Sequence, residues 1–158
     1  MVKLGIMSFA HLHAYSYAHC VNLIPEAELT AIWDDDKERG KEASKQYQTN
    51  FVEDLDEFLS LPIDGVIITS ENVNHKPMAI KSAEAGKWIL CEKPLATTIE
   101  DAMLMINTCK KAGVGLGVAF PCRFLTPILK AKEYIRSGKL GTILSISCTN
   151  NGSYPGGW

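Results

Sequence analysis

Glu92-Lys93-Pro94 directly follows the apolar run Trp88-Ile89-Leu90-Cys91. A lysine at the carboxyl end of a buried strand, with the next residue's backbone fixed by proline, points into the crevice where open α/β sheets hold ligands. Its ammonium could hold a substrate hydroxyl and stabilise an alkoxide that develops there. That is electrostatic assistance and not proton abstraction. Lys93 is therefore the candidate catalytic residue, and Glu92 is placed to orient it or a ribose. The plain alternative is a surface lysine in a loop, but strand exits are where binding residues concentrate.

Other residues would serve a nucleotide. Ser8-Phe9-Ala10-His11-Leu12-His13 follows the apolar run Val2–Met7 and opens a helix, where a dinucleotide turn would read GxGxxG. The glycines of such a turn allow a tight bend, close approach of the pyrophosphate and close packing of helix on strand. Ser8 and Ala10 are small enough to obstruct little. His13 is the real departure, since an imidazole at the helix–strand contact must push the helix away or point elsewhere. A displaced or weakened pyrophosphate site is expected. The helix N-terminus still offers N–H groups and a positive dipole end, which makes Ser8, Phe9, Ala10 and His11 candidate cofactor contacts.

Asp34 lies 26 positions after Ser8, near the spacing at which an acidic residue receives the ribose hydroxyls. A carboxylate there repels a 2′-phosphate, which favours NAD over NADP, while Lys37 and Arg39 keep NADP open. The alternative is that the run Asp34-Asp35-Asp36 simply caps a helix. Thr69, Asn72 and His75, at and beyond the exit of the next buried strand, can line the same crevice, although Asn72 equally suits a helix cap. His11 and His13 form an HxH pair, yet neighbours two apart do not share a helix face and no third ligand is near in sequence. No metal is expected.

The elements that must position these groups alternate strictly. Strands at Val2–Met7, Leu29–Trp33, near Phe51, at Gly65–Thr69, Trp88–Cys91 and Leu116–Phe120 are separated by helices. These run from about His11 to Leu23, from Asp35 or Asp36 to Tyr47, over Leu55–Ser60, from near Asn74 to Ala85, and from Thr98 to Ala112. The β-branched run at 66–69 implies burial on both faces. The order predicts a doubly wound parallel sheet of the Rossmann type, with ligands near strands one and four. The glycines of Gly113-Val114-Gly115-Leu116-Gly117 leave a helix and enter a strand, the reverse of a phosphate cradle. They are expected to stop that helix and to allow close backbone approach.

A domain boundary is signalled between Pro121 and Pro127, dividing a dinucleotide-binding domain (1–121) from the start of an α+β domain (122–158). A helix to about Ser137 and a strand at Ile143–Thr149 should follow, the strand being poorly ordered or paired with a second copy. The chain has 158 residues, with 16 Lys+Arg against 18 Asp+Glu and a formal charge of −2. Without like-charge blocks, nucleic-acid and membrane partners are not expected. Apolar runs fall short of a membrane span, and the N-terminus lacks a signal peptide's pattern, which points to the cytoplasm. Five scattered cysteines (Cys20, Cys91, Cys109, Cys122, Cys148) suggest neither a disulfide framework nor zinc.

Cys91-Glu92-Lys93-Pro94-Leu95 resembles the EKP motif of the glucose-fructose oxidoreductase / inositol dehydrogenase (Gfo/Idh/MocA) family. Asn72-x-x-His75 resembles that family's TPNxxH stretch, with Glu71 in place of the usual proline. The segment from Gly117 to Arg123-Phe124 and the run Ser137-Gly138-x-Leu140-Gly141-x-Ile143 resemble later segments in the same order. The resemblance implies a two-domain NAD(P)-dependent oxidoreductase, acting mostly on sugars, cyclitols or related polyols; assembly as a homo-oligomer is expected as well. It places Lys93 against substrate and nicotinamide, and Arg123 in the active-site cleft or at the domain junction. The family's catalytic aspartate and histidine lie in a second domain and match no residue here. The resemblance therefore leaves two expectations: a fragment inactive on its own, or a non-catalytic binding or interaction module.

Overall fold

The computed structural model describes residues 1–149. Its first compact unit, Met1 to Phe120, contains β1 (Val2–Met7), α1 (His13–Leu23), β2 (Ala27–Trp33), α2 (Lys37–Tyr47), β3 (Asn50–Phe51) and α3 (Leu55–Ser60). After these come β4 (Gly65–Ile68), α4 (His75–Glu84), β5 (Trp88–Cys91), α5 (Ile99–Ala112) and β6 (Leu116–Val118). All strand pairs are parallel, in the order β3-β2-β1-β4-β5-β6. The order reverses between β1 and β4, so the crevice outside their carboxyl ends is the ligand position of this architecture.

The pleat sends alternate side chains to opposite faces, and the two cores follow that alternation. Met7, Val66 and Ile68 join Phe58, Met78, Met105 and Cys109 under α3, α4 and α5. Ile6 and Ile67 join Ala14, Ala18, Val21 and Ala43 under α1 and α2. Every residue of β4 is buried, as its β-branched run predicts. Fully burying each such side chain contributes roughly 1.5–3 kcal/mol.

The ends of the helices follow local chemistry. Asp36 caps α2 by accepting from the Glu38 and Arg39 N–H groups, Asp54 caps α3 and Thr98 caps α5. Gly113 ends α5 at φ 72°. A Cβ at Gly115 would lie 2.3 Å from the Trp88 ring, so this position needs glycine for close approach, as the sequence indicates.

From Pro121 the chain forms a second unit, with a 3-10 turn at Pro121–Phe124 and α6 at Thr126–Arg136. The strand expected at Ile143–Thr149 is not formed: residues 143–149 are irregular and exposed. A strand needs a ladder partner for its N–H and C=O groups, and none of the described residues supplies one. No described helix is long and apolar enough to cross a membrane.

Candidate functional site

The turn after β1 is stitched to the exits of both neighbouring strands. The Ser8 N–H donates to Trp33 O at 2.7 Å, and the His11 N–H donates to Thr69 O at 3.0 Å. Thr69 Oγ1 donates to Ser8 O at 2.6 Å. Ser8 takes φ 75°, the left-handed conformation in which a glycine would sit without strain. Its hydroxyl accepts from the Ala10 N–H and from Arg39 Nη2, both at 3.2 Å. The tight turn therefore persists without glycine, held by side-chain hydrogen bonds.

Asp34 ends β2 almost completely buried, with four donors on its carboxylate. Oδ2 accepts from the Phe9 N–H (2.7 Å) and Arg39 Nε (2.9 Å); Oδ1 accepts from Arg39 Nη2 (2.6 Å) and the Asp36 N–H (3.0 Å). Burial pushes its pKa up, but the Arg39 guanidinium and the Phe9 and Asp36 N–H groups outweigh this and hold it below the ordinary value. The expected ribose acceptor is thus already saturated by protein groups. Asp35 is the more exposed carboxylate beside it, raised in pKa by burial and by its neighbour Asp34.

The other expected site residues are placed as follows. Four of the turn's N–H groups already have protein acceptors: those of Phe9, Ala10, His11 and His13 donate to Asp34, Ser8 Oγ, Thr69 O and His11 Nδ1. The Phe9 ring lies in the α1–α2 core, edge-on to Tyr15. Thr69 is fully buried, its hydroxyl committed to Ser8. His75 is fully buried too, with Nδ1 2.9 Å from Pro94 O and Nε2 3.2 Å from Ser70 O. It braces the turn after β5 against the turn after β4. Asn72 is exposed in the 3-10 turn Asn72–Asn74, and its carbonyl accepts from the His75 N–H. Arg123 belongs to the second unit, in the turn Pro121–Phe124.

The His13 imidazole leaves the helix–strand contact and reaches across to β5. Its Nδ1 lies 2.6 Å from Glu92 Oε1, which also accepts from Tyr17 Oη at 2.5 Å. The Lys93 N–H donates to Glu92 Oε2 at 2.7 Å. Burial works against ionisation of Glu92, but Tyr17, His13 and the Lys93 N–H together keep its pKa below the ordinary value. Burial lowers the His11 pKa, and burial with the Glu92 hydrogen bond raises that of Tyr17. Lys93 is exposed beside this buried carboxylate, while burial pushes the Cys91 thiol up to about 12 and leaves it inert.

The pair His11 and His13 needs its own correction. His11 precedes the helix, so the two rings are not constrained by helical spacing; their centroids are 4.5 Å apart. Glu92, distant in sequence, supplies the third donor. Tyr17 was missed as well, though its i+4 spacing from His13 on α1 places both on one face. The Arg39–Asp34 clamp joins a strand end to a helix and has no comparable periodic signal.

A six-stranded parallel sheet with this strand order, and an acidic residue closing its second strand, defines a dinucleotide-binding domain. Residues 4–120 match the GFO_IDH_MocA family, an oxidoreductase family with an NAD-binding Rossmann fold, and the chain belongs to that family. It is 31% identical to 2,7-anhydro-N-acetylneuraminate hydratase of Escherichia coli K12, over 96% of this chain and 40% of that protein. It is also 31% identical to glucose-6-phosphate 3-dehydrogenase of Bacillus subtilis 168, over 92% of this chain and 41% of that one. The crystal structure of a probable dehydrogenase from Thermotoga maritima superposes with a TM-score of 0.83 at 29% identity, covering 89% of this chain and 42% of the other. The chain thus spans about two-fifths of the length of these relatives.

Proposed function

We propose that this chain supplies the cofactor-binding part of an oxidoreductase that moves a hydride between a nicotinamide cofactor and a carbon of a sugar, cyclitol or related polyol. The observation that carries the reading is Lys93, exposed at the carboxyl end of β5 with its backbone held by the buried Glu92. From there an ammonium can bind a substrate hydroxyl and stabilise the alkoxide formed as hydride departs. The cofactor supplies the hydride chemistry; the turn from Ser8 to His11 shapes its phosphate end. Arg39 and Asp35 would hold its adenosine ribose, with Asp34 ordering both turn and guanidinium. NAD is favoured over NADP because the local carboxylates outnumber the one arginine. Arg123 is assigned to substrate contact. Free cysteines fit a reducing cytoplasm, and exposed apolar residues of α6, Ile128, Leu129 and Ile135, support assembly as a homo-oligomer.

The chain by itself should bind NAD(H) with micromolar to millimolar affinity and oxidise nothing, because general acid–base groups supply roughly 10²–10⁴-fold and the family's catalytic aspartate and histidine match no residue of this sequence. A second reading, a binding module without turnover, is favoured by the prior engagement of the turn's N–H groups. Titration with NAD(H) beside a hydride-transfer assay on a polyol panel tests the first reading. Turnover by the 158-residue chain would overturn its assignment as a partial site, and absence of binding at millimolar NAD(H) would overturn the cofactor role.

A further inference from the structure

His13 and Tyr17 have no assigned contact with the cofactor or substrate, yet both are hydrogen-bonded to the buried Glu92 carboxylate, whose expected role is to orient Lys93 or a ribose. One donor atom each from His11, His13 and Glu92 lies within 4.8 Å of the others. Two imidazoles and one carboxylate, with a further position open, form a donor set that suits a borderline cation in an open site. We propose that His11, His13 and Glu92 bind one divalent transition-metal cation, Zn²⁺ in particular.

The carboxylate is prepared for this. Glu92 is almost fully buried, and donors at Lys93 N and Tyr17 Oη orient its two oxygens, the kind of outer-shell support that fixes metal-ligating carboxylates. The His13 ring is already aimed at Oε1. At 2.6 Å the two atoms are hydrogen-bonded, and a cation with ligand distances of about 2.0–2.2 Å takes the place of that bond by parting them. His11 Nδ1 accepts from the His13 N–H at 3.1 Å, a long hydrogen bond that keeps the two rings side by side, and an imidazole ligates through either ring nitrogen. Both imidazoles are partly exposed, leaving the fourth position to water or to a ligand oxygen. Lys93 is the facing cation, and its exposure lets solvent screen the repulsion. The site rests on these three side chains alone and stands or falls separately from the nicotinamide reading.

The experiment is titration of the whole chain with Zn²⁺ against a chromophoric chelator, with Co²⁺ as a spectroscopic substitute. One equivalent should bind, with a Co²⁺ visible spectrum of a four-coordinate site. His13→Ala and His11→Ala should each weaken binding by at least about tenfold, since outer-shell partners alone are worth 10–100-fold. Glu92→Gln tests the carboxylate; His13→Ala, at a half-exposed position, stays folded by circular dichroism if Glu92→Gln does not. His19→Ala, exposed on α1 beside Cys20, should change nothing. Absence of binding below millimolar Zn²⁺, binding unchanged in His13→Ala, or binding abolished by His19→Ala would each overturn the site.

Discussion

Arg39 lies along the carboxylate of Asp34, with Nε 2.9 Å from Oδ2 and Nη2 2.6 Å from Oδ1, a bidentate pair at the end of β2. Bidentate geometry fixes the guanidinium as well as neutralising the charge. On the proposed cofactor role, two opposed charges would meet a ribose 2′-substituent. Asp34→Ala should release Arg39 and raise the ratio of NADP(H) to NAD(H) affinity by about tenfold, equivalent to ~1.4 kcal/mol. Arg39→Ala should move the ratio the other way. Parallel calorimetric titrations check both; equal ratios in the two variants would exclude the clamp from selectivity.

Acid should loosen the turn before the rest of the unit. Asp34 and Glu92 both titrate below their ordinary values in the folded chain. Their contribution to stability is therefore complete above the unfolded-state values of roughly 4, and is lost as pH falls through the lower folded values. Asp34→Asn should reduce stability at neutral pH and flatten its decline below about pH 4. Denaturant unfolding at several pH values checks this; an undiminished acid decline in Asp34→Asn would assign it to other carboxylates.

Ser8 combines a strained backbone with a useful hydroxyl, and the two can be separated. Ser8→Ala keeps φ 75° but loses the bonds from Ala10 and Arg39, costing about 1–2 kcal/mol. Ser8→Gly loses the same bonds but relieves strain worth on the order of 1 kcal/mol. Thermal unfolding should rank wild type above Ser8→Gly and Ser8→Gly above Ser8→Ala.

Packing reaches the site through Gly40 on α2. A Cβ there would lie 2.3 Å from the Phe51 ring and 2.9 Å from the Asp34 Cβ. Gly40→Ala should therefore destabilise by about 1–3 kcal/mol, as overpacking does, although alanine is the better helix former. It should also weaken NAD(H) binding by displacing Asp34. A variant as stable as wild type would show that α2 can slide outward freely.

Much of this was legible in the sequence because periodicity reports burial directly. Val2–Met7, Leu55–Ser60 and Trp88–Cys91 have the expected boundaries, and the β-branched run of β4 announced a central strand. The cap of α2 was placed between Asp35 and Asp36, and side-chain geometry selects Asp36. What sequence could not show is where a long side chain goes after leaving its element. His13 was recognised as incompatible with a glycine's place, but its partner is Glu92, separated by β2, β4 and their helices. The commitment of Asp34 to Arg39 was hidden for the same reason: an acidic residue at a strand end looks alike whether it faces a ribose or a guanidinium. Residues 143–149 are irregular because alternation describes a face to be buried, not the neighbour that buries it.

The opening turn offers a last and sharper test, because its own atoms compete with a pyrophosphate. Two of its N–H groups make long local bonds, Ala10 to Ser8 Oγ at 3.2 Å and His13 to His11 Nδ1 at 3.1 Å, whereas Phe9 is held by the buried Asp34 carboxylate at 2.7 Å. An entering anion should displace the long bonds and leave the short one. Removing the His11 ring frees the His13 N–H in advance and spares the cost of breaking that bond, about 0.5–1.5 kcal/mol. His11→Ala should therefore tighten NAD(H) binding by about two- to tenfold in metal-free buffer, with Asp34→Asn weakening it through loss of the fixed turn. Fluorescence titration with NADH measures both. Weaker binding in His11→Ala would make the imidazole a direct cofactor contact and refute competition within the turn.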